Sequence, residues 1–332
     1  MSADGGVHVL CTGAAGMIGR KLTARLLADG SIAGRALFRL SLVDVVAPDL
    51  PAHAGIDVTT AVVDLRMPGA AARLIADAPD VIFHLAAIVS GEAESDFEKG
   101  YAVNFAGTRA LLEAIRLAGD YRPKVVFASS IAVFGAPFPP AIPDDFIHTP
   151  LTSYGTQKAM CELLLADYSR REFLDGVGIR LPTIVVRPGK PNKAASGFFS
   201  SIIREPLAGD EAVLPVDDGV RHWFASPRAA ISFLTHAAAL SREQLGPHVN
   251  LTMPGVCCTV GDEIAALARI AGANVAARIR REPDATVTRI VAGWPQNFDA
   301  RRAAELGFAA EASFDDIIRT HIEDELGGKI AA

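Results

Sequence analysis

The sequence has no long hydrophobic run, no paired cysteines and no excess of positive charge. No stretch of its 332 residues approaches the roughly 18 uninterrupted apolar residues of a membrane-spanning helix, and residues 1–6 lack the basic and apolar segments of a secretory signal. We therefore expect a cytoplasmic protein with no membrane partner. The net charge of -6 provides no basic surface, so no nucleic-acid partner is expected either.

The four cysteines are scattered, and none has the spacing of a zinc site or a redox pair. Cys11 lies in an apolar run, Cys161 lies in a helical pattern, and Cys257 and Cys258 are adjacent. Reduced and mostly buried thiols are the simpler interpretation, and no metal is expected. An acidic substrate would have to be bound by a local cation, because the protein as a whole is acidic.

Hydrophobic residues make up 50% of the chain, enough for one large core or two unequal ones. Up to residue 187, short apolar runs alternate with helical patterns. This alternation predicts an α/β fold with a Rossmann-type doubly wound parallel sheet. The regularity fades after residue 188, so we expect a first domain over 1–188 and a smaller C-terminal α/β lobe over 189–332, from which some chain could return to the first domain.

The first apolar run, Val7–Thr12, is followed by Gly13, Gly16 and Gly19 and then by a helical pattern. This order is typical of a dinucleotide site. The glycines allow a tight turn, let backbone N–H groups approach a pyrophosphate, and let the helix pack closely on the strand. The alternative is a plain glycine-rich turn, against which the flanking strand and helix argue.

The carboxylate of Asp44 follows about 30 residues after the first glycine, near the end of an apolar run. It could accept hydrogen bonds from the adenosine ribose and would repel a 2'-phosphate, so the pattern favours NAD over NADP. The alternative is a solvated carboxylate at a strand end. Asp64 could contact the adenine amino group or cap a loop, and the small Ala86 could let a cofactor ribose lie against the backbone.

Tyr154 and Lys158 lie one turn apart on a predicted helix. A phenol with an ordinary pKa of about 10 is a poor base, but a nearby ammonium favours the phenolate, which could take the proton of an alcohol. Ser129 and Ser130 end a predicted strand at the sheet edge where open α/β folds bind ligands. The alternative is a surface tyrosine and lysine on an ordinary helix.

Together these motifs resemble the extended short-chain dehydrogenase/reductase superfamily, the NAD-dependent epimerase/dehydratase superfamily. The matching segments run through the whole chain in order, at residues 12–19, 44, 64–65, 84–87, 104–108, 129–135, 154–158 and 187–188. The resemblance implies that Ser130 polarises the substrate and Tyr154 is the general base. It also implies that Lys158 holds the nicotinamide ribose and lowers the pKa of the tyrosine.

The resemblance also implies a cofactor site and divides the labour between the two parts of the chain. Residues 1–188 would bind NAD and carry the chemistry, and residues 189–332 would bind mainly the substrate. Asn104 could hold water or backbone near the reacting centre, or simply satisfy its own helix. The NAD contacts implied are Gly13, Gly16, Met17, Ile18, Asp44, Asp64, Leu65, Ala86, Asn104, Tyr154 and Lys158.

Three departures from the superfamily argue against a nucleotide-sugar substrate. Lys190 replaces an asparagine that grips a nucleotide diphosphate, Phe134 replaces a tyrosine, and residues 226–228 replace an acidic pair. One group within the superfamily, the D-erythronate dehydrogenases, is instead similar at residues 88–92, 186–192, 195–198 and 203–206. This resemblance implies NAD-linked oxidation of the C2 hydroxyl of a four-carbon sugar acid, D-erythronate to 2-dehydro-D-erythronate.

A sugar acid needs a partner for its carboxylate, and the planar fork of arginine matches it best. We expect Arg221 in this role, although it could merely brace a loop with Asn192. Arg187 is interpreted as a structural residue at a strand end, and Lys190 is the next candidate for the anchor. The other expected substrate contacts are Ser129, Ser130, Tyr154 and Asn192.

Two other functions stay open. One is a nucleotide-sugar 4-epimerase or dehydratase that recycles tightly bound NAD within one turnover, and the other is an NAD-sensing protein without catalysis. A homodimer is expected, formed through the helices that carry Asn104 and Tyr154. The apolar residues at 163–165 permit such a contact.

Overall fold

The computed structural model describes residues 5–51, 53, 55–189 and 196–331. Within these ranges the strands are β1 (Val7–Thr12), β2 (Ser31–Ile32), β3 (Arg35–Asp44), β4 (Asp57–Val62), β5 (Val81–His84), β6 (Lys124–Ser130), β7 (Asp175–Leu181), β8 (Thr183–Ile184), β9 (Ala212–Leu214), β10 (Arg221–Ala225), β11 (Asn250–Thr252), β12 (Val256–Thr259) and β13 (Ile279–Arg281).

The α-helices follow the strands in alternation through the first half. They are α1 (Met17–Asp29), α2 (Ala70–Ile75), α3 (Ser90–Ser95), α4 (Phe97–Gly100), α5 (Thr108–Leu117), α6 (Ser153–Arg170), α7 (Gly197–Ala208), α8 (Pro227–Ala239), α9 (Arg242–Leu245), α10 (Val260–Ala271), α11 (Ala273–Ala276), α12 (Ala285–Ala292), α13 (Arg301–Glu305) and α14 (Phe314–Leu326). A π-helical segment, Tyr101–Gly107, joins α4 to α5, and a 3₁₀ turn, Ile131–Val133, follows β6.

The main sheet has eight strands in the order β11-β7-β6-β5-β1-β3, with β2 and β4 both paired to β3. All its pairings are parallel except that of β2 with β3. All six residues of β1 are buried, as expected for a central parallel strand covered on both faces. The Rossmann-type parallel sheet expected from the sequence is confirmed.

Helices cover both faces of this sheet. Helices α1 and α8 pack in one apolar core with the strands, and α2, α5 and α6 pack in another on the opposite face. Because the strands are parallel, their carboxyl ends meet at a single edge. That edge carries Thr12, Asp44, His84 and Ser130.

Most of the chain after residue 188 forms a smaller α/β lobe. Its sheets have the orders β12-β10-β8 and β13-β9, and its core packs α7, α10 and α14 around Phe199, Phe224 and Ile317. Part of this half returns to the first domain: α8 packs on the main sheet and β11 extends it beyond β7. The strand β8 lies just before residue 188 but pairs with β10 of the smaller lobe.

Two predicted elements are interrupted in the structure. The expected strand over 179–187 divides at Pro182, which has no N–H for a ladder, so β7 ends at Leu181 and β8 begins in the other sheet. The long helix expected over 97–118 contains the π-helical segment, a form often found at functional sites. Asn104 lies within it.

Candidate active site

The glycine turn after β1 leaves room only for backbone. Gly13 has φ +77°, and a Cβ on it would lie 2.7 Å from the backbone nitrogen of Ala86. Gly19 packs so closely on the Gly13 carbonyl that it cannot carry a side chain either. Helix α1 begins at Met17, and its N-cap Gly16 provides no side-chain cap, so its first N–H groups are available to an anion. This turn fits a pyrophosphate.

Asp44 lies at the end of β3 beside the glycine turn. Its Oδ2 accepts a hydrogen bond from the Ala15 N–H at 2.9 Å, and its Oδ1 accepts one from the Val45 N–H at 2.7 Å. Each carboxylate oxygen keeps lone pairs for a ribose hydroxyl, and their charge disfavours a 2'-phosphate. Together with the turn, this carboxylate fits NAD.

Asp64 is already held by a neighbouring arginine. Its Oδ2 accepts from Arg66 Nη2 at 2.6 Å and its Oδ1 accepts from the Arg66 backbone N–H at 2.9 Å. The hydrogen bonds from Arg66 also hold the pKa of the Asp64 carboxyl below its usual value. The carboxylate thus caps its own loop, and an adenine amino group would have to share it with Arg66. Leu65 packs beside Gly107.

The Asn104 side chain does not line the cavity described below. It is hydrogen-bonded to the backbone after β5 and to a side chain of α6. Its side chain is buried, and its Oδ1 accepts from the Ile88 N–H at 2.8 Å. Its Nδ2 donates to Gln157 Oε1 at 2.7 Å. The amide therefore fastens the segment after β5 to helix α6.

A cavity of about 350 Å³ opens at the carboxyl edge of the main sheet, between the two lobes. Met17 and Ile18 of α1 line the side next to the glycine turn. The residues after β5, from Ala87 to Ser90, form another side. Other side chains that line the cavity are polar or aromatic and could contact a substrate or cofactor. They are Ser129, Ser130, Tyr154, Lys158, Thr183, Arg187, Ser196, His222 and Trp294.

The structure brings Ser130, Tyr154 and Lys158 together in this cavity. Helix α6 begins at Ser153 because the Thr152 hydroxyl caps it, accepting the Gly155 N–H at 3.1 Å. Lys158 Nζ donates to the Ala128 carbonyl at 2.7 Å and lies 5.7 Å from the centroid of the Tyr154 ring. This is the geometry that the one-turn spacing predicts.

Burial governs the protonation of the tyrosine and the lysine. It raises the pKa of Tyr154 to about 12, against a smaller lowering by the hydrogen bond with Ser130. It lowers the pKa of Lys158 to about 8, against smaller opposing effects of Cys161 and Glu162. In the protein alone, burial therefore outweighs the lowering of the tyrosine pKa expected from Lys158. An oxidised nicotinamide would add a positive charge beside the phenol.

Ser129 also lines the cavity, but its hydroxyl is already bonded elsewhere. Its side chain is buried and donates to Glu162 Oε1 at 2.5 Å. This leaves Ser130, whose Oγ accepts from the Ala132 N–H at 3.1 Å, as the serine hydroxyl beside Tyr154.

Arg187 lines the cavity from the side of the smaller lobe. Its Nη2 donates to Ser196 Oγ at 2.8 Å and to the Ser196 carbonyl at 3.1 Å. Burial, and then the charge of Arg204, lower its pKa from the ordinary value. No carboxylate among the described residues forms an ion pair with it. A partly buried guanidinium with no carboxylate partner in the described part of the chain is suited to bind the carboxylate of a ligand.

His222 lines the same side and is uncharged at neutral pH. Its Nε2 lies 2.6 Å from Thr183 Oγ1, and its ring stacks on Phe199 with centroids 5.2 Å apart. Burial lowers its pKa to about 4. The histidine and threonine therefore offer neutral polar atoms at the wall opposite Tyr154.

The expected anchor Arg221 is not part of the cavity lining. Its side chain is exposed, and its Nη1 lies 3.8 Å from Cys257 Sγ. Neighbouring side chains of a strand point to opposite faces, so β10 directs His222 inward and Arg221 outward. Asn192 and Lys190 lie outside the described residues. Arg187 and His222 line the cavity, although no substrate contact was expected of either. The alternation along β10 is the signal that could have revealed the histidine.

Among the described residues, no three or more His, Cys, Asp or Glu side chains are grouped so that they could hold a metal ion. No helix in the described ranges is long and apolar enough to cross a membrane. The four cysteines are free thiols.

The fold and the cavity define a class of protein. The doubly wound sheet has a dinucleotide-binding turn, and a serine, a tyrosine and a lysine surround one cavity. These features are typical of an NAD-dependent oxidoreductase acting on CH–OH groups. The chain belongs to the NAD-dependent epimerase/dehydratase family, whose model matches residues 9–226.

Comparison with known proteins narrows this further. The chain is 47% identical over 322 residues to D-erythronate dehydrogenase from Cupriavidus necator, covering 96% of this chain and 98% of that protein. It is 42% identical to D-erythronate dehydrogenase from Haemophilus influenzae, covering 96% and 100%. A solved structure, named as a nucleoside-diphosphate-sugar epimerase from Agrobacterium tumefaciens, is 59% identical with TM-score 0.95, covering 98% of this chain and 96% of that one. The expected family, dehydrogenase class and NAD cofactor are confirmed.

Proposed function

We propose that this protein oxidises the C2 hydroxyl of D-erythronate to the 2-oxo acid with NAD as acceptor. The observation that carries the proposal is Arg187, a guanidinium without a carboxylate partner among the described residues, in the same cavity as Ser130, Tyr154 and Lys158. This arrangement suits an alcohol that carries a carboxylate nearby. The names of the curated relatives support the same substrate.

The chemistry needs a base and a group that stabilises the forming carbonyl. Tyr154 takes the proton of the C2 hydroxyl, and Ser130 donates a hydrogen bond to the oxygen as its bond to carbon shortens. NAD, when bound, accepts the hydrogen that leaves C2 with its electron pair and contributes a positive charge. Lys158, while protonated, favours the phenolate of Tyr154. The products are the 2-oxo acid, NADH and a proton.

We propose Arg187 as the carboxylate anchor, in place of Arg221. The hydrogen bonds to Ser196 fix one side of its guanidinium, which leaves other N–H groups for a bidentate contact with a carboxylate. Thr183 and His222 would contact the remaining hydroxyls. Ser129 would act through its neighbour Ser130, because its own hydroxyl is donated to Glu162.

For NAD we propose direct contacts along the glycine turn and Asp44. Asp64, Leu65 and Asn104 would support the site indirectly. Asp64 is hydrogen-bonded to Arg66 and Asn104 to Ile88, and Leu65 packs beside Gly107. Residues 1–188 would carry NAD and chemistry and residues 189–332 mainly substrate, with β8 and α8 crossing that division. The direct NAD contacts proposed are Gly13, Gly16, Met17, Ile18, Asp44, Ala86, Tyr154 and Lys158.

We propose a homodimer that forms through α4, the π-helical segment and α6. Phe97 on α4 is 56% exposed and Leu163 on α6 is 65% exposed, although both are large apolar side chains. Burying them against a second copy would remove this apolar surface from water. Light scattering should give twice the chain mass, and a Leu163→Glu protein should give the single mass. The cytoplasmic location expected from the sequence stays a prediction.

The function is tested by measuring NADH from the purified protein with D-erythronate. L-threonate, glycerate and UDP-glucose are the comparison substrates. We expect NADH to accumulate in proportion to protein with D-erythronate and much more slowly with the other acids. Conversion of UDP-glucose to its epimer without accumulating NADH would contradict the proposal and favour the function named for the Agrobacterium structure. NAD binding with no turnover of any compound would favour a sensor.

A further inference from the structure

A buried ion pair lies directly behind the catalytic residues. Glu162 and Arg180 are both almost completely buried, and Arg180 contacts the carboxylate through Nε at 3.0 Å and Nη2 at 2.8 Å. Burying two charges can cost more free energy than their attraction returns, and apolar residues of the same volume often stabilise a protein as well or better. Stability alone therefore does not explain this pair.

Helix α6 places Glu162 next to the chemistry. Glu162 lies one turn after Lys158 and two turns after Tyr154, so the three side chains share a face of the helix. Its Oε1 accepts the hydroxyl proton of Ser129, the residue before Ser130. The carboxylate thus contacts the end of β6 and lies close to the lysine in the cavity.

The ion pair also reaches the proline-rich loop that follows β6. Arg180 Nη2 lies 2.8 Å from His148 Nε2, and its guanidinium lies over the Phe134 ring, 5.0 Å from the centroid. The chain then passes through Leu151 and Thr152, which line the cavity and lead into α6. One ion pair therefore contacts β6, the loop and the catalytic helix.

We propose that Glu162 is a positioning residue, which fixes Ser130 through Ser129 and serves as the charge partner of Lys158. The proposal rests on the proposed function, because Ser130 and Lys158 carry the chemistry there. Glu162 is not among the residues that line the cavity. It acts through the residues it holds.

The charges around Lys158 support this role. The titratable groups that face it are Tyr154, Cys161 and Glu162 on α6 and His84 on β5. His84 is neutral at working pH because burial lowers its pKa to about 3, and burial also raises the pKa of Cys161 to about 11. Glu162 is then the carboxylate among them. Removing its charge should lower the pKa of Lys158 further.

Two double variants separate the charge from the hydrogen bond without leaving a lone buried charge. Glu162→Gln with Arg180→Met removes both charges but keeps an acceptor for Ser129. Glu162→Met with Arg180→Met removes that acceptor as well. Asp167→Asn is the matched control, because Asp167 is an acidic residue of the same helix whose pair with Arg170 is exposed.

Both double variants should lose activity at a lower pH than wild type, because the charge of Glu162 raises the pKa of Lys158 and has a larger effect there than the charge of Arg180. The Glu162→Met pair should in addition lose about 10- to 100-fold in kcat with KM for NAD nearly unchanged, because Ser130 loses its support. The control should match wild type in both. Folded double variants with wild-type kcat and pH profile would overturn the proposal and leave the pair a structural role.

The titration of Lys158 can be followed without any substrate. NMR of its side chain in the wild type and the Glu162→Gln pair should show a lower pKa in the variant. A wild-type protein that fails to oxidise D-erythronate would contradict the proposed function alone, whereas equal lysine pKa values would contradict the role of Glu162 alone.

Discussion

The cavity has two walls that the chain builds in different ways. The chemical wall, Ser130, Tyr154 and Lys158, comes from the end of one strand and the first turns of one helix. The opposite wall comes from segments far apart in sequence that belong mainly to the smaller lobe, namely Thr183, Arg187, Ser196, His222 and Trp294. The first wall is shared by enzymes with many substrates, so the second must carry the specificity. Changes in the two walls should therefore affect kcat and KM differently.

The largest effect is expected from Tyr154→Phe. Removing the base should reduce kcat by about 10²–10⁴-fold, the usual contribution of a positioned proton acceptor. The ring stays, so the affinity for NADH, measured by fluorescence titration, should change little. A variant with near-normal turnover would show that another group takes the proton.

The opposite wall is tested by Arg187→Met, with Arg221→Met as its matched control. Loss of a charge-assisted contact of ~1.5–3 kcal/mol should reduce kcat/KM for D-erythronate about 10- to 150-fold, mainly through KM. KM for NAD should stay the same. The control should behave as wild type, because Arg221 is exposed and outside the cavity. A loss of kcat/KM in the Arg221→Met variant but not in the Arg187→Met variant would instead identify Arg221 as the carboxylate anchor.

The pH profile of activity separates the effect of the positive charge of Lys158 from the effect of the position of its side chain. With its pKa lowered to about 8, Lys158 is protonated below that pH and loses its charge as the pH rises through it. Activity that needs this charge should therefore fall above about pH 8. Lys158→Arg keeps the charge at all working pH. It should be slower than wild type but should lack this alkaline decline, and an unchanged decline would assign it to another group.

The smallest effect is expected at the far end of the cofactor. Asp44→Ala should raise KM for NAD about 2- to 12-fold, in keeping with the loss of one hydrogen bond of about 0.5–1.5 kcal/mol. The variant should also show a smaller preference for NAD over NADP, because the repulsion of a 2'-phosphate by the carboxylate is lost. Measurements of kcat/KM with both cofactors would check this. A variant as selective as wild type would place the discrimination elsewhere.

The difference between the walls also explains what could be predicted from sequence. Val7–Thr12 with its glycines, and Tyr154 with Lys158, are contiguous patterns whose local geometry follows from helix and strand periods. The position of Arg187 in the cavity could not be predicted from local sequence, because the break at Pro182, which moves the following residues into the other sheet, depends on tertiary pairing. Arg221 was chosen as a substrate contact instead of its neighbour His222. Successive residues of a strand point to opposite faces, so a shift of one residue exchanges the buried side chain and the exposed one. The hydrogen bond from Ser129 to the buried Glu162 depends on tertiary packing, so no local sequence pattern could predict it.

The most direct test is a crystal structure of the complex with NADH and the 2-oxo acid product. We expect the carboxylate within hydrogen-bond distance of the Arg187 guanidinium and the C2 oxygen between Tyr154 Oη and Ser130 Oγ. A carboxylate bound at Arg221, or a C2 oxygen far from the phenol, would contradict it.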